Sequence, residues 1–164
     1  MIIMNNWKIL KDVENKKVWD FVFSELHFKP HEEKELITLP LPNKYFDISR
    51  FYNDGFVEEL YNNLHESAQA WFEKISNGER MFALNWQHDC YSFTADLPFE
   101  KDEYNEWLIP VFPNGDYLFF LTNDFKNGIF ADGVNFQLLI WGGDIIKAFE
   151  TKTPDMLKVN NSRR

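Results

Sequence analysis

GFVEELYNNLHESAQAWFEKISNG, residues 55–78, followed at once by ERMFALNW, residues 79–86, decides the fold class. In the first stretch Val57, Leu60, Tyr61, Leu64, Ala68, Trp71, Phe72 and Ile75 recur at steps of one, three and four, so all eight share one face of a helix. The opposite face carries Glu58, Glu59, Asn62, Asn63, Glu66, Gln69 and Glu73. This predicts a helix over Gly55–Ser76. Asp54 is its expected N-cap, and Asn77-Gly78 its left-handed stop. After Gly78 the period shortens to that of a strand. A helix that gives way to strands, rather than alternating with them, indicates α+β and not a βαβ repeat.

Downstream, Arg80–Trp86, Cys90–Ala95, Ile129-Phe130 and Asn135–Trp141 read as strands. Cys90–Ala95 breaks strict alternation, which points to cover on both faces. Trp107–Phe112 and Tyr117–Thr122 are predicted to form a hairpin, because Pro113-Asn114-Gly115-Asp116 between them holds Asn-Gly, the strongest short hairpin signal. Gly142-Gly143 breaks the chain, and Asp144 then caps a last helix through Phe149. Upstream, Trp19, Val22, Phe23 and Leu26 predict a helix over Asp12–Leu26 with Asp12 as N-cap, ended by Pro30. Leu36–Leu39 reads as an edge strand. The expectation is one α+β domain over residues 1–150. It comprises an antiparallel sheet of five or six strands, with the N-terminal helices and the C-terminal helix packed on one face. Residues 151–164 read as a polar, flexible tail.

The 164 residues hold 26 acidic and 17 basic side chains, a net charge of −9, and aromatics make up 18%. The charge is uneven: residues 1–80 carry −4, residues 81–141 carry −7 and residues 142–164 carry +2. Such a surface repels a phosphate backbone and attracts a basic partner, so nucleic acid is excluded as a ligand there. The longest apolar runs, around 118–121 and 138–141, fall far short of the ~20 residues of a spanning helix. The start, MIIMNNWK, has no basic leader or small-residue cleavage site, and the chain has one cysteine, Cys90. Both features fit a cytoplasmic protein without a membrane association.

No catalytic or phosphate-binding signature is present: no G-x-S-x-G, P-loop, G-x-G-x-x-G or H-E-x-x-H. His88 and Cys90 are two apart, as a zinc site or a thiol–imidazole dyad would allow, but no second Cys/His pair exists to complete a metal shell. We read a buried cysteine beside a turn histidine. Asn123–Gly128 and Asp132-Gly133 have the composition of a calcium loop. Phe125, however, occupies a ligand position and Val134 stands where the closing glutamate belongs, so both read as turns. Glu58/Glu59 and Glu32/Glu33/Glu35 read as solvated faces. No catalytic residue, metal or cofactor is assigned.

Residues 84–91 (LNWQHDCY), 107–121 (WLIPVFPNGDYLFFL), Asp124-Phe125, Asn127-Gly128, Gly142 and Ala148-Phe149 resemble the bacterial domain-of-unknown-function family 2716. The resemblance covers most of the chain and is most specific between about residues 81 and 150. The family implies no activity and no site residue. A fold-level similarity to SMI1/KNR4-like immunity proteins, acidic α+β domains that block toxins, is a weaker guide.

The first expectation is therefore a non-enzymatic protein-binding module, in its finer form an immunity-type inhibitor, holding a basic partner on an acidic, aromatic sheet region. The alternative is an enzyme or small-molecule binder with a pocket near Trp86, His88 and Asp116. The candidate binding residues are Trp86, His88, Asp116, Tyr117 and Asp124, polar or amphipathic groups at the ends of apolar strands. Most of the six tryptophans are expected in the core.

Overall fold

The two central strands, Tyr117–Leu121 and Gly128–Asp132, are buried at every position, and that requires cover on both sides of them. In a computed structural model, which describes residues 6–53 and 55–158, the chain runs β1 (Lys8–Ile9), α1 (Asp12–Glu25), β2 (Asn43–Asp47), α2 (Arg50–Asn53), α3 (Glu58–Ile75), β3 (Met81–Asn85) and β4 (Tyr91–Phe93). It continues as β5 (Tyr117–Leu121), β6 (Gly128–Asp132), β7 (Gln137–Trp141), α4 (Gly143–Thr151) and a 3-10 turn, Asp155–Leu157. The seven strands form one antiparallel sheet in the order β1-β4-β3-β5-β6-β7-β2.

Met81, Ala83, Phe93, Leu118, Phe120, Ile129, Ala131, Leu138 and Ile140 point to one side. There they meet Leu64, Ala68, Trp71, Phe72 and Ile75 of α3 and Ile145, Ala148 and Phe149 of α4. Phe82, Leu84, Phe119, Leu121, Phe130 and Trp141 point to the other side, onto Val18 and Val22 of α1 and onto Leu26, Phe28 and Leu36. The expectation that every helix packs on one face is thus corrected. Alternate strand residues are apolar on both faces, and each face needs its own cover.

The strand count rises to seven because two short edges were missed. β1 has two residues, and β2 pairs Asn43–Asp47 with Gln137–Trp141 in a stretch of alternating exposure. The edge strand expected at Leu36–Leu39 is irregular. Its Leu36 is buried under α1, and Pro40 and Pro42 stop the segment from pairing.

The predicted hairpin does not form. β5 takes β3 on one side and β6 on the other, leaving no edge for residues 107–112. Their apolar alternation reports burial of Trp107, Ile109 and Val111 against α3, while Pro110 and Pro113 remove two ladder donors. Pro113–Asp116 still turns, with Gly115 at φ 108°, but it delivers a loop into β5. The β6–β7 turn lies on it, where Gly133 N–H donates to Asp116 O at 2.8 Å and a Cβ on Gly133 would strike the Gly115 backbone.

Helix ends differ from expectation in the same local way. Lys11, not Asp12, precedes α1, and Asp12 and Glu14 sit in its first turn, where the helix dipole favours them. The α1 stripe is Val18, Val22 and Leu26, with Phe23 44% exposed. Val57 precedes α3; Asp54 lies outside the described residues. Gly142 precedes α4, and its cap comes from far away. Asn127 Oδ1 accepts the N–H groups of Asp144 (3.1 Å) and Ile145 (3.0 Å). Residues 151–158 stay packed, and residues 159–164 of the expected tail lie outside the described residues. Trp71 Nε1 donates to Lys152 O at 2.9 Å, and Met156 and Leu157 are buried in the α3 core. Four of the six tryptophans, Trp7, Trp71, Trp107 and Trp141, are buried.

Candidate functional site

The five residues singled out by sequence split between the two ends of the sheet. Trp86, Asp116 and Tyr117 meet where β3 leaves and β5 enters. Trp86 N–H donates to Tyr117 O at 3.1 Å, and the two rings lie 6.0 Å apart. Asn85 Nδ2 donates to Asp116 Oδ2 at 3.2 Å, while its Oδ1 is buried without a partner. The sequence did not nominate His31, which joins this group. Its backbone N–H donates to the Tyr117 hydroxyl at 3.0 Å and its ring sits edge-on to Trp86 and Tyr117. Burial raises the Tyr117 phenol above its ordinary range, with the His31 bond opposing and Asp132 adding a smaller rise.

His88 is exposed in the turn that follows, its N–H bonded to Asn85 O at 3.0 Å. Its carbonyl, with that of Asn85, faces the Cys90 thiol. Burial, the leading cause, pushes that thiol up, which disfavours the thiolate that a dyad needs. Asp124 lies at the far end of β5. Its Oδ1 accepts from Thr122 Oγ1 and Lys126 N–H in a tight turn, and these bonds hold its carboxyl below the usual range against the opposing desolvation. Concavities lie along α3, and Trp86, His88, Asp116 and Tyr117 line none of those. Among the described residues no group of three or more His, Cys, Asp and Glu is placed to hold a metal ion.

The sheet cannot itself present the acidity of residues 81–141, because both of its faces are covered. Asp132 is fully buried and accepts from Val134 N, Asn135 N, Asn135 Nδ2 and Gln137 Nε2. The exposed acidic groups lie in the loops instead, and the segment 94–116 between β4 and β5 holds the largest share, Asp96, Asp102 and Glu103, with half-buried Glu106 and with Tyr104 74% exposed.

Specific contacts fix the base of this segment. Glu100 accepts the N–H groups of Asn6 (2.6 Å) and Trp7 (2.7 Å) with its two oxygens. Asn6 Nδ2 reaches the carbonyls of Thr94, Leu97 and Pro98, and Asn6 Oδ1 accepts Thr94 N–H at 2.7 Å. Arg80 ties Ser92, Thr94 and Asn6 together with its guanidinium. The tip is turned by Asp102, whose Oδ1 accepts the N–H groups of Tyr104 and Glu106. The far side is held by His65. Its Nδ1 lies 2.8 Å from Tyr61 O, and its Nε2 accepts Val111 N–H at 2.9 Å. Burial is the main reason its pKa falls to about 4, so the ring is neutral at pH 7 with Nδ1 as donor.

Sequence reasoning missed what builds this segment. One signal was readable: His65 lies between Leu64 and Ala68 on the apolar face of α3, where a polar side chain needs a hydrogen-bonded reason to be.

The model of the family described as "Protein of unknown function (DUF2716)" matches residues 9–146. The chain belongs to this family. The DUF2716 match takes in β2, α1 and α3 as well as the strands, so it extends well into the first fifty residues, beyond the region 81–150 where the resemblance was most specific. It also spans the whole of segment 94–116. A second finding agrees: the chain is 32% identical over 163 residues to the "Uncharacterized protein YxiI" of Bacillus subtilis (strain 168), covering 94% of this chain and 99% of that one. No solved structure matches. The fold-level likeness to SMI1/KNR4-like immunity proteins finds no counterpart in these comparisons.

Proposed function

We propose that this DUF2716 chain is a non-enzymatic cytoplasmic binding module that holds a basic protein partner on the segment 94–116. One observation carries this reading. The segment is longer than the ~15 residues that structureless connections rarely exceed without a functional reason, yet it is anchored at base and tip and exposes Asp96, Asp102 and Glu103, the last two within two residues of the exposed Tyr104. An exposed tyrosine ringed by acid suits protein recognition. The ring supplies contact area with little rotamer entropy to lose, and the charge speeds encounter with a basic surface. The finer form of the reading is an immunity-type inhibitor, whose partner is a toxin encoded beside it.

Co-expression with the products of adjacent genes tests both levels. The expected result is one product that co-purifies at low salt and is lost when Glu103→Lys and Tyr104→Ala are combined. Restored growth on co-expression with a toxic neighbour supports the finer form. Absence of any retained product and of any rescue rejects the reading.

A further inference from the structure

The chain holds three Asn-Gly pairs, at residues 77–78, 114–115 and 127–128, and the fold treats them differently. We propose that Asn114-Gly115 is a site of self-modification, at which the Gly115 backbone nitrogen displaces the Asn114 side-chain amide and water completes the conversion to aspartate and isoaspartate. Once a base has taken the Gly115 amide proton, the nitrogen attacks Asn114 Cγ. An N–C bond forms, the Cγ–Nδ2 bond breaks, and the amide nitrogen picks up a proton and leaves as ammonia. The resulting succinimide adds water at either of its carbonyls. Opening at one gives aspartate, and opening at the other gives isoaspartate. Nothing is oxidised or reduced, and water is the co-reactant. A glycine in the second position favours the attack, since no Cβ shields its nitrogen.

Asn114-Gly115 is the pair whose sequence predicts a hairpin that the sheet does not form. Both residues are therefore exposed in a loop. Among the described residues no hydrogen bond is made by the Asn114 side chain, the Asn114 carbonyl or the Gly115 N–H. The flanking groups are held. Pro113 O accepts from the Tyr52 hydroxyl, and Asp116 O accepts Gly133 N–H at 2.8 Å. The peptide between Asn114 and Gly115 is thus an unbonded link between two fixed points, able to turn its nitrogen onto the side chain without breaking a bond.

At Asn127-Gly128 both reacting groups are tied down. Asn127 is 5% exposed, and its Oδ1 accepts the N–H groups of Asp144 and Ile145. Asn127 O accepts Thr122 N–H at 3.0 Å, so the antiparallel ladder turns the N–H of Gly128 the other way, toward its β7 partner Trp141. Asn77-Gly78 is exposed but conformationally committed. Both residues lie in the left-handed region, φ 55° and 76°, and Glu79 N–H closes the turn on Ser76 O at 3.0 Å. Bringing Gly78 N onto the Asn77 side chain means undoing that stop at the end of α3. The order of reactivity in the folded chain is therefore Asn114, then Asn77, then Asn127. Each event at Asn114 replaces a neutral amide by a carboxylate in segment 94–116. The chemistry stands whether or not that segment holds a partner.

Timed incubation of the full chain in mildly alkaline buffer, with and without urea, tests the assignment. Peptide mapping by mass spectrometry and labelling by an isoaspartyl methyltransferase locate the products. In the folded chain, conversion is expected first at Asn114, more slowly at Asn77 and last at Asn127, with a more acidic species growing on ion exchange. In urea the three rates are expected to come together, because the order is set by the fold and not by the dipeptide. Asn114→Gln, whose longer side chain closes the ring poorly, should melt as the wild type does and lose the product at 114. Two results would overturn the proposal. One is an Asn114 that stays intact in the folded chain while it converts in urea. The other is folded-state conversion at Asn127 as fast as at Asn114.

Discussion

His65 Nε2 accepts the backbone N–H of Val111 at 2.9 Å, across 46 positions of sequence, and so joins the middle of α3 to the end of the acidic segment. A protonated imidazole has no lone pair left to accept that bond. The contact therefore requires the neutral ring that burial enforces.

The consequence is a pH dependence of known sign. The folded-state pKa of about 4 lies below the ordinary 6.5, so between these values the unfolded chain binds more protons than the folded one. Stability is complete above about pH 6.5 and falls as pH drops toward 4. The loss is about 3 kcal/mol, an order-of-magnitude figure for this shift. Urea denaturation at a series of pH values checks it. In His65→Gln the slope across this window should flatten, and parallel curves for the two proteins would argue against the assignment.

Asn127 and Gly142 form a second long-range unit. Asn127→Ala removes the side-chain cap of α4 and should cost about 1 kcal/mol. Gly142→Ala should cost more than about 2 kcal/mol, since φ is 109° and the added Cβ would collide with Asn127 Oδ1 and Lys126 O. Because part of that collision is with Asn127 itself, the double variant should be less destabilised than the sum. Additive values in a double-mutant cycle would contradict this geometry.

Arg80 is predicted to matter through its planar fork and not through charge. Its partners are Ser92 Oγ, Ser92 O, Thr94 Oγ1 and Asn6 O, none of them a carboxylate. Arg80→Ala should cost about 2 kcal/mol, and Arg80→Lys should recover little of it, because an ammonium cannot reach four acceptors in that arrangement. Melting temperatures that are insensitive to added salt in the wild type would accompany this result; full rescue by lysine would count against it.

Tyr104 and Glu103, by contrast, should be dispensable for folding. Tyr104 is 74% exposed, and its alanine variant should change stability by less than about 0.5 kcal/mol. A larger loss on thermal unfolding would make the residue structural and weaken its assignment to recognition.

Most of the sheet and both long helices were legible because their residues repeat with a period that burial enforces. α3 was readable from eight residues on one face, and β3, β5, β6 and β7 from short apolar runs. The failures share a cause. The run from Trp107 to Val111 alternates like a strand but owes its pattern to α3, and no local signal reports that β5 already has two neighbours. β1 and β2 exist because an edge was available, and a two-residue strand leaves no period to detect. Asn127 looked like a turn residue, and its role as a cap depends on Gly142 arriving beside it from fifteen residues away. Met156 and Leu157 are an apolar pair inside a polar stretch, the available sign that residues 151–158 dock.

The candidate site was legible in part for the same reason. Trp86, Asp116 and Tyr117 come together because strand ends converge, whereas Asp124 belongs to the opposite end of β5. The acidity of residues 81–141 was correctly located in sequence but wrongly located in space, since a sheet covered on both faces leaves loops as the surface that can carry it.

The most direct test of the binding reading is a deuterium-exchange footprint of the chain with its co-purified partner. The account predicts slowed exchange in residues 96–107, with β2 and the turn around His88 unchanged. Protection confined to the β2 edge or to the Trp86–Tyr117 end, with residues 96–107 exchanging as in the free chain, would contradict it.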